Sequence, residues 1–115
     1  MPYLKIETNQ SAIQSSLHQN TLLLSAEIAT MLGKPEDFVM VSINLQEAMT
    51  FAGTTEPCAF VELSSLGLSE QSGSELSEHL FPLLSKTLQV APERIYLQMS
   101  DHPRSHWGWN GKTFG

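Results

Sequence analysis

Two stretches of this chain carry one pattern 55 to 57 residues apart, and that duplication constrains the fold more than any other feature. Pro2-x-x-x-Ile6-Glu7 returns as Pro57-x-x-x-Val61-Glu62, and Pro35-Glu36-Asp37-Phe38 returns as Pro92-Glu93-Arg94-Ile95. In the first half Ile13, Leu17, Leu24, Ile28, Met31 and Leu32 recur at helical spacing, which predicts an amphipathic helix over 13–32 that Gly33 and Pro35 stop. In the second half Leu76, Leu80, Leu83, Leu84 and Leu88 predict a helix over 75–88, preceded by Ser72-x-x-Glu75 in the form of a capping box. Pro82 removes a hydrogen bond inside that helix and predicts a bend or a late start. Runs rich in Val, Ile, Phe and Tyr bracket each helix: Pro2 to Glu7 and Phe38 to Ile43, then Cys58 to Leu63 and Arg94 to Met99. Two matched strand-helix-strand units imply a single α+β domain over 1–115, a pseudo-twofold-related pair of βαβ units whose four strands form one mixed sheet with both helices on one face.

Helices on one face leave the other face bare. Phe38-Val39-Met40-Val41-Ser42-Ile43 is apolar at nearly every position, the pattern of a strand covered on both sides. A bare apolar face several strands wide exceeds what monomers tolerate, so burial against other copies of the chain is expected, with the number of copies left open.

Charge and composition exclude several classes of function. Twelve acidic and six basic residues give a net charge of −6 with no Lys/Arg cluster, which argues against binding nucleic acid or an anionic membrane surface. Cys58 is the single cysteine and forms no internal disulfide. No apolar run approaches the ~20 residues that cross a bilayer, and no basic flank with an apolar core marks a signal peptide. A cytoplasmic location is expected, although export without a leader would leave no mark in the sequence. His102 and His106 raise the question of a metal, but Pro103 disfavours a helix there and no second ligand pair follows, so neither a metal nor a cofactor is expected.

The chemistry is concentrated at the second residue. Cells trim an initiator methionine ahead of a small residue or proline, and trimming turns the Pro2 nitrogen from an amide into a secondary amine held on a rigid ring. Carried by a strand into an apolar pocket, that amine loses hydration, its pKa falls toward neutrality, and it becomes a general base. Lys34 follows the first helix, where a cation meets the helix macrodipole favourably. The helix also returns it to the level of Pro2, where its charge depresses the amine pKa and attracts an anion. Backbone N–H groups in Ser64-Ser65-Leu66-Gly67 either hold a carboxylate or form an ordinary turn. Tyr96 and Gln98 share one face of the fourth strand. Trp107, Trp109 and Phe114 crowd a tail that must pack down as a lid or an edge.

Pro2, Gly33-Lys34-Pro35, Phe51-x-Gly53, Glu56-Pro57-Cys58-Ala59, Pro92-x-Arg94-Ile95-Tyr96 and Gly108-Trp109-Asn110-x-x-Thr113-Phe114, in this order and spacing, resemble the macrophage migration inhibitory factor and D-dopachrome tautomerase family of the tautomerase superfamily. The resemblance spans nearly the whole chain. It implies a homotrimer enclosing a central channel, with active sites at subunit interfaces. It also implies a cofactor-independent isomerase that interconverts keto and enol forms of small aromatic α-keto acids such as phenylpyruvate. By this resemblance Pro2 is the base; Lys34 and the Leu66 N–H, in the turn that includes Ser65, hold the substrate carboxylate; and Tyr96 reaches the substrate from a neighbouring subunit. Gln98 stands where the family usually has Asn and Phe38 where well-known members have Tyr, while Trp107, Trp109 and Phe114 form an aromatic wall.

Three departures narrow the expectation. The Cys-x-x-Cys of the family is here Cys58-Ala59-Phe60-Val61, so an intramolecular thiol-disulfide reaction is excluded. Positions tied to receptor contacts in vertebrate members fall near Ala12-Ile13 and at Gln46, which counts against receptor binding. The segment Leu66-Gly67-Leu68-Ser69-Glu70-Gln71 offers no arginine of the kind that superfamily dehalogenases and hydratases place beside substrate, so isomerisation is favoured over hydration. The alternative is a binding or signalling protein that keeps the pocket and has incidental activity. The physiological substrate is left open.

Overall fold

The computed structural model describes residues 1–69 and 72–115. Strand β1 (Tyr3–Thr8) leads through a 3₁₀ segment, Ser11–Ser16, into helix α1 (Leu17–Leu32) and strand β2 (Met40–Leu45). Strand β3 (Ala59–Leu66), helix α2 (Ser72–Leu88) and strand β4 (Ile95–His102) repeat the unit. The sheet order is β2-β1-β3-β4: β1 and β2 are parallel, β3 and β4 are parallel, and β1 and β3 are antiparallel at the centre. Ile6 pairs directly with Val61, its counterpart in the sequence repeat, so the pseudo-twofold passes between them.

Alternation within the strands builds the core. Leu4 and Ile6 of β1 and Val61 and Leu63 of β3 are wholly buried, together with Leu24 and Ile28 of α1 and Leu80, Leu84 and Leu88 of α2. The first helix begins differently from its prediction, since residues 11–16 are 3₁₀ before the α-helix takes over. The serines there compete with helical bonding, as when the Ser16 hydroxyl donates to the Ile13 carbonyl at 3.1 Å. The second helix has no late start: α2 begins at Ser72 and runs through Pro82, because its leucine stripe is held in the core. Ser72 lies inside the helix, so the expected capping box is replaced: the Ser69 hydroxyl accepts from the Ser72 N–H at 3.2 Å. Glu70 and Gln71 of the segment that lacks arginine lie outside the described residues.

The expectation of an apolar bare face is corrected. Register places Met40, Ser42 and Asn44 of β2 beside Tyr3, Lys5 and Glu7 of β1 on the face away from the helices, while Val41, Ile43 and Leu45 pack against the core. The open face also carries Phe60, Glu62 and Ser64 of β3 and Tyr96, Gln98 and Ser100 of β4, and a Lys5–Glu7 ion pair of 3.7 Å lies on it. The apolar run was misleading because Phe38 and Val39 precede the strand, which leaves Met40–Leu45 with ordinary alternation. Among the described residues no helix is long and apolar enough to cross a membrane.

Candidate active site

Pro2 is wholly buried at the head of β1. Its carbonyl accepts from the Met40 N–H at 3.0 Å, and the register of β1 with β3, carried back from Tyr3↔Ser64, sets it opposite Ser65. A cleft of about 300 Å³ opens over it, lined by Met1, Pro2, Asp37, Phe38, Trp107, Trp109 and Phe114 among others. Phe38 meets Trp109 edge-on at 5.3 Å, and Trp109 stacks on Phe114 at 6.1 Å with the rings 6° from parallel. Four of the five aromatic site residues named from the sequence, Phe38, Trp107, Trp109 and Phe114, therefore line the cleft over the second residue.

Local sequence explains that wall. Residues Gly108–Trp109 and Lys112–Thr113 form strands β5 and β6 of a hairpin, turned at Asn110 (φ 52°) and Gly111 (φ 87°). Two successive positive φ values are what a tight type I′ hairpin requires and what Asn-Gly supplies. The Phe114 N–H then donates to the Trp107 carbonyl at 3.1 Å, closing the tail over the cleft. On the other side a 3₁₀ turn over Glu36–Phe38 aims Phe38, held by the Phe38 N–H on the Pro35 carbonyl at 3.2 Å.

Lys34 arrives by a helix stop. Gly33 adopts φ 61° past α1, and the Lys34 N–H bonds to the Ala29 carbonyl at 3.0 Å in a Schellman arrangement. The Lys34 Nζ donates to the Leu66 carbonyl at 3.3 Å, and its side chain lines a second recess that also includes Glu75 and His79. In the chain as it stands Met1 precedes Pro2, and the terminal amine belongs to Met1. That amine is held below its ordinary 8.0, first by desolvation and second by repulsion from Lys34.

The remaining predicted residues are placed less simply. Ser65 is wholly buried, and its hydroxyl donates to the Leu66 carbonyl at 3.3 Å. Beyond Leu66, the N–H groups of Gly67 and Leu68 both donate to the Asp101 carboxylate, at 2.9 and 3.1 Å, so a side chain already occupies the anion site of this turn. Tyr96 and Gln98 lie outside the cleft. Tyr96 pairs with Phe60, five residues along β3 from Ser65, or roughly 17 Å at strand rise, and its ring packs on Phe51 at 4.7 Å. Sequence reasoning missed Asp37, Tyr3, Val39 and Met40 as cleft residues. It also missed Arg94 as the clamp of the 51–57 loop, donating to the carbonyls of Pro57, Phe51 and Glu56 at 2.9, 3.2 and 3.0 Å.

A family model described as Macrophage migration inhibitory factor (MIF) matches residues 1–115. The chain belongs to the macrophage migration inhibitory factor family. It is 36% identical over 118 residues to a macrophage migration inhibitory factor homolog of Brugia malayi, covering 100% of both chains. It is 34% identical over 116 residues to the macrophage migration inhibitory factor of Rattus norvegicus, covering 99% of each. Among solved structures, the homologue from Prochlorococcus marinus superposes with a TM-score of 0.90 at 37% identity, covering 98% of this chain and 99% of that one. The Trichinella spiralis protein gives a TM-score of 0.90 at 30% identity, covering 97% and 99%. Within the family, this chain closes its cleft with Phe38 and replaces the second thiol of the Cys-x-x-Cys by Val61, leaving Cys58 buried and free.

Proposed function

We propose that the chain, once Met1 is removed, is a cofactor-independent keto-enol tautomerase of small aromatic α-keto acids such as phenylpyruvate, with the Pro2 amine as base. One observation carries this reading: the second residue is wholly buried under an aromatic wall, and the Met1 amine that precedes it is already lowered by desolvation and, second, by Lys34. Removing Met1 moves the amine one residue inward, from a residue that is partly exposed to one that is not. Desolvation then acts more strongly and keeps the amine neutral and basic near pH 7. The Pro2 nitrogen takes a proton from C3 of the keto acid, the carbon next to the ketone, becomes an ammonium, and delivers a proton to the ketone oxygen to give the enol. The reverse path runs from the enol hydroxyl, and no other reagent is consumed.

Lys34 attracts the substrate carboxylate, and Phe38, Trp107, Trp109 and Phe114 enclose the aryl group. Tyr96 and Gln98 are too far along the sheet to serve their own cleft, so their part in substrate contact requires another copy, in keeping with a homotrimer whose sites lie between subunits. The test is turnover of phenylpyruvate by purified protein. A loss of roughly 10²–10⁴-fold in Pro2→Gly, the usual contribution of a positioned base, supports the reading. No turnover by the wild-type chain, or full turnover in Pro2→Gly, sinks it.

A further inference from the structure

The helix-facing positions of β4 read Ile95, Leu97, Met99 and then Asp101, so an acid interrupts an apolar series at the end of the strand. Register sets Asp101 beside Ser65, one residue before β3 ends at Leu66. There its Oδ1 accepts from two successive amides, the Gly67 N–H at 2.9 Å and the Leu68 N–H at 3.1 Å, in a turn that Gly67 permits at φ 77°. The Gly67 N–H and the Leu66 carbonyl belong to one planar trans peptide, in which the two groups point in opposite directions. Fixing the N–H on Asp101 therefore aims the carbonyl away from Asp101. That carbonyl accepts from the Lys34 Nζ at 3.3 Å and from the wholly buried Ser65 hydroxyl at 3.3 Å. An ammonium carries three donors, so seating one of them on Leu66 fixes the directions of the other two. Glu75 lines the same recess as Lys34 and is the competing acceptor once that seat is lost.

We propose that Asp101 is a positioning residue for Lys34: through the rigid Leu66–Gly67 peptide it holds the carbonyl on which the ammonium is seated, and so sets where a substrate carboxylate is met. This rests on the tautomerase reading given above, in which Lys34 attracts that carboxylate, and adds the residue that orients it. The carboxylate on the N–H also polarises the peptide and strengthens its carbonyl as an acceptor. Two roles for Asp101 predict opposite signs. As a bare charge it repels an anionic substrate, and its removal tightens binding. As a positioning group it holds Lys34 in place, and its removal weakens binding.

The experiment measures kcat and KM for phenylpyruvate in Met1-trimmed wild type, Asp101→Leu, Asp101→Ala and Asp101→Asn, each with and without Lys34→Met. Independently of turnover, Trp107 and Trp109 fluorescence gives the dissociation constant of 3-phenylpropanoate, which has no ketone to enolise. Leucine keeps the branched shape of Asp101 without an acceptor, whereas asparagine keeps an oxygen that accepts from both amides. KM and the dissociation constant should rise about 3- to 10-fold in Asp101→Leu and Asp101→Ala, as expected for one hydrogen bond, with kcat within about two-fold. Asp101→Asn should bring both constants back to within about two-fold of wild type. With Lys34→Met in place, Asp101→Leu should add little, because the group it positions is gone. A KM that falls or stays constant in Asp101→Leu and Asp101→Ala, an equal rise in Asp101→Asn, or an equal rise in the Lys34→Met background overturns the proposal while wild-type turnover stands. Failure of both Asp101→Leu and Asp101→Ala to fold, seen as loss of the urea transition, assigns Asp101 to stability alone and also overturns it. Absence of wild-type turnover overturns the tautomerase reading instead, and the 3-phenylpropanoate constants then decide the positioning of Lys34 by themselves.

Discussion

Replacing Lys34 by Met in the Met1-trimmed chain separates its two roles. The first is attraction of the substrate. A charge-assisted hydrogen bond from an ammonium to a carboxylate contributes about 1.5–3 kcal/mol, so kcat/KM should fall by about 10- to 150-fold, mostly through KM. The second role is electrostatic. In the untrimmed chain Lys34 is the lesser of the two causes that lower the Met1 amine, after desolvation. Its removal should raise the amine pKa, yet leave it below the ordinary value of a prolyl amine, because burial at Pro2 persists. Only the neutral amine accepts a proton, so the acid limb of the pH-rate profile should move to higher pH. Stability follows the same sign. A folded-state pKa held below the unfolded value by burial means that the unfolded chain binds more protons in the interval between the two. Stability therefore rises with pH through that interval, and the interval should narrow in Lys34→Met. Phenylpyruvate tautomerisation followed from pH 4 to 9 reads the limb directly. An acid limb that stays in place or shifts to lower pH would refute the electrostatic argument, and an unchanged KM would refute the binding one.

Gln89 holds φ 56° at the end of α2, the place where α1 uses Gly33, so Gln89→Gly should stabilise the chain by about 0.5 kcal/mol in urea unfolding while the Gln10 bond to the residue-89 carbonyl remains. Leu80→Ala at the centre of the core should cost about 2–5 kcal/mol in the same assay. Arg94→Ala leaves three loop carbonyls without their donor and should lower stability by about 2–3 kcal/mol, with increased proteolysis across residues 51–57. Light scattering should give the mass of three chains, and a monomer mass at micromolar concentration would contradict the assembly proposed for Tyr96 and Gln98.

The duplicated pattern made the topology legible because each repeat is a βαβ unit, and the pairing of Ile6 with Val61 places the symmetry between the two copies. The aromatic wall was legible as composition but not as geometry. The Asn110-Gly111 pair carried the hairpin signal that orients Trp109, and it passed unread inside a tail taken only as a lid. Sheet facing was misread because β2 starts at Met40, so an apolar run assigned to one strand was divided between a 3₁₀ turn and an alternating strand. Pro82 weakens α2 locally, but the cost is outweighed by Leu76, Leu80, Leu84 and Leu88 in the core. Asp37 could not be distinguished from Glu36 by sequence, since only the turn geometry decides which acid meets the cleft.

The central claim is that an uncapped Pro2 nitrogen moves the proton. The most direct measurement sets the Met1-trimmed chain beside a chain that retains Met1, each verified by intact mass, in the phenylpyruvate assay. The account predicts turnover by the trimmed chain alone, because in the other the Pro2 nitrogen is an amide without basicity. Equal turnover by the two chains would contradict it.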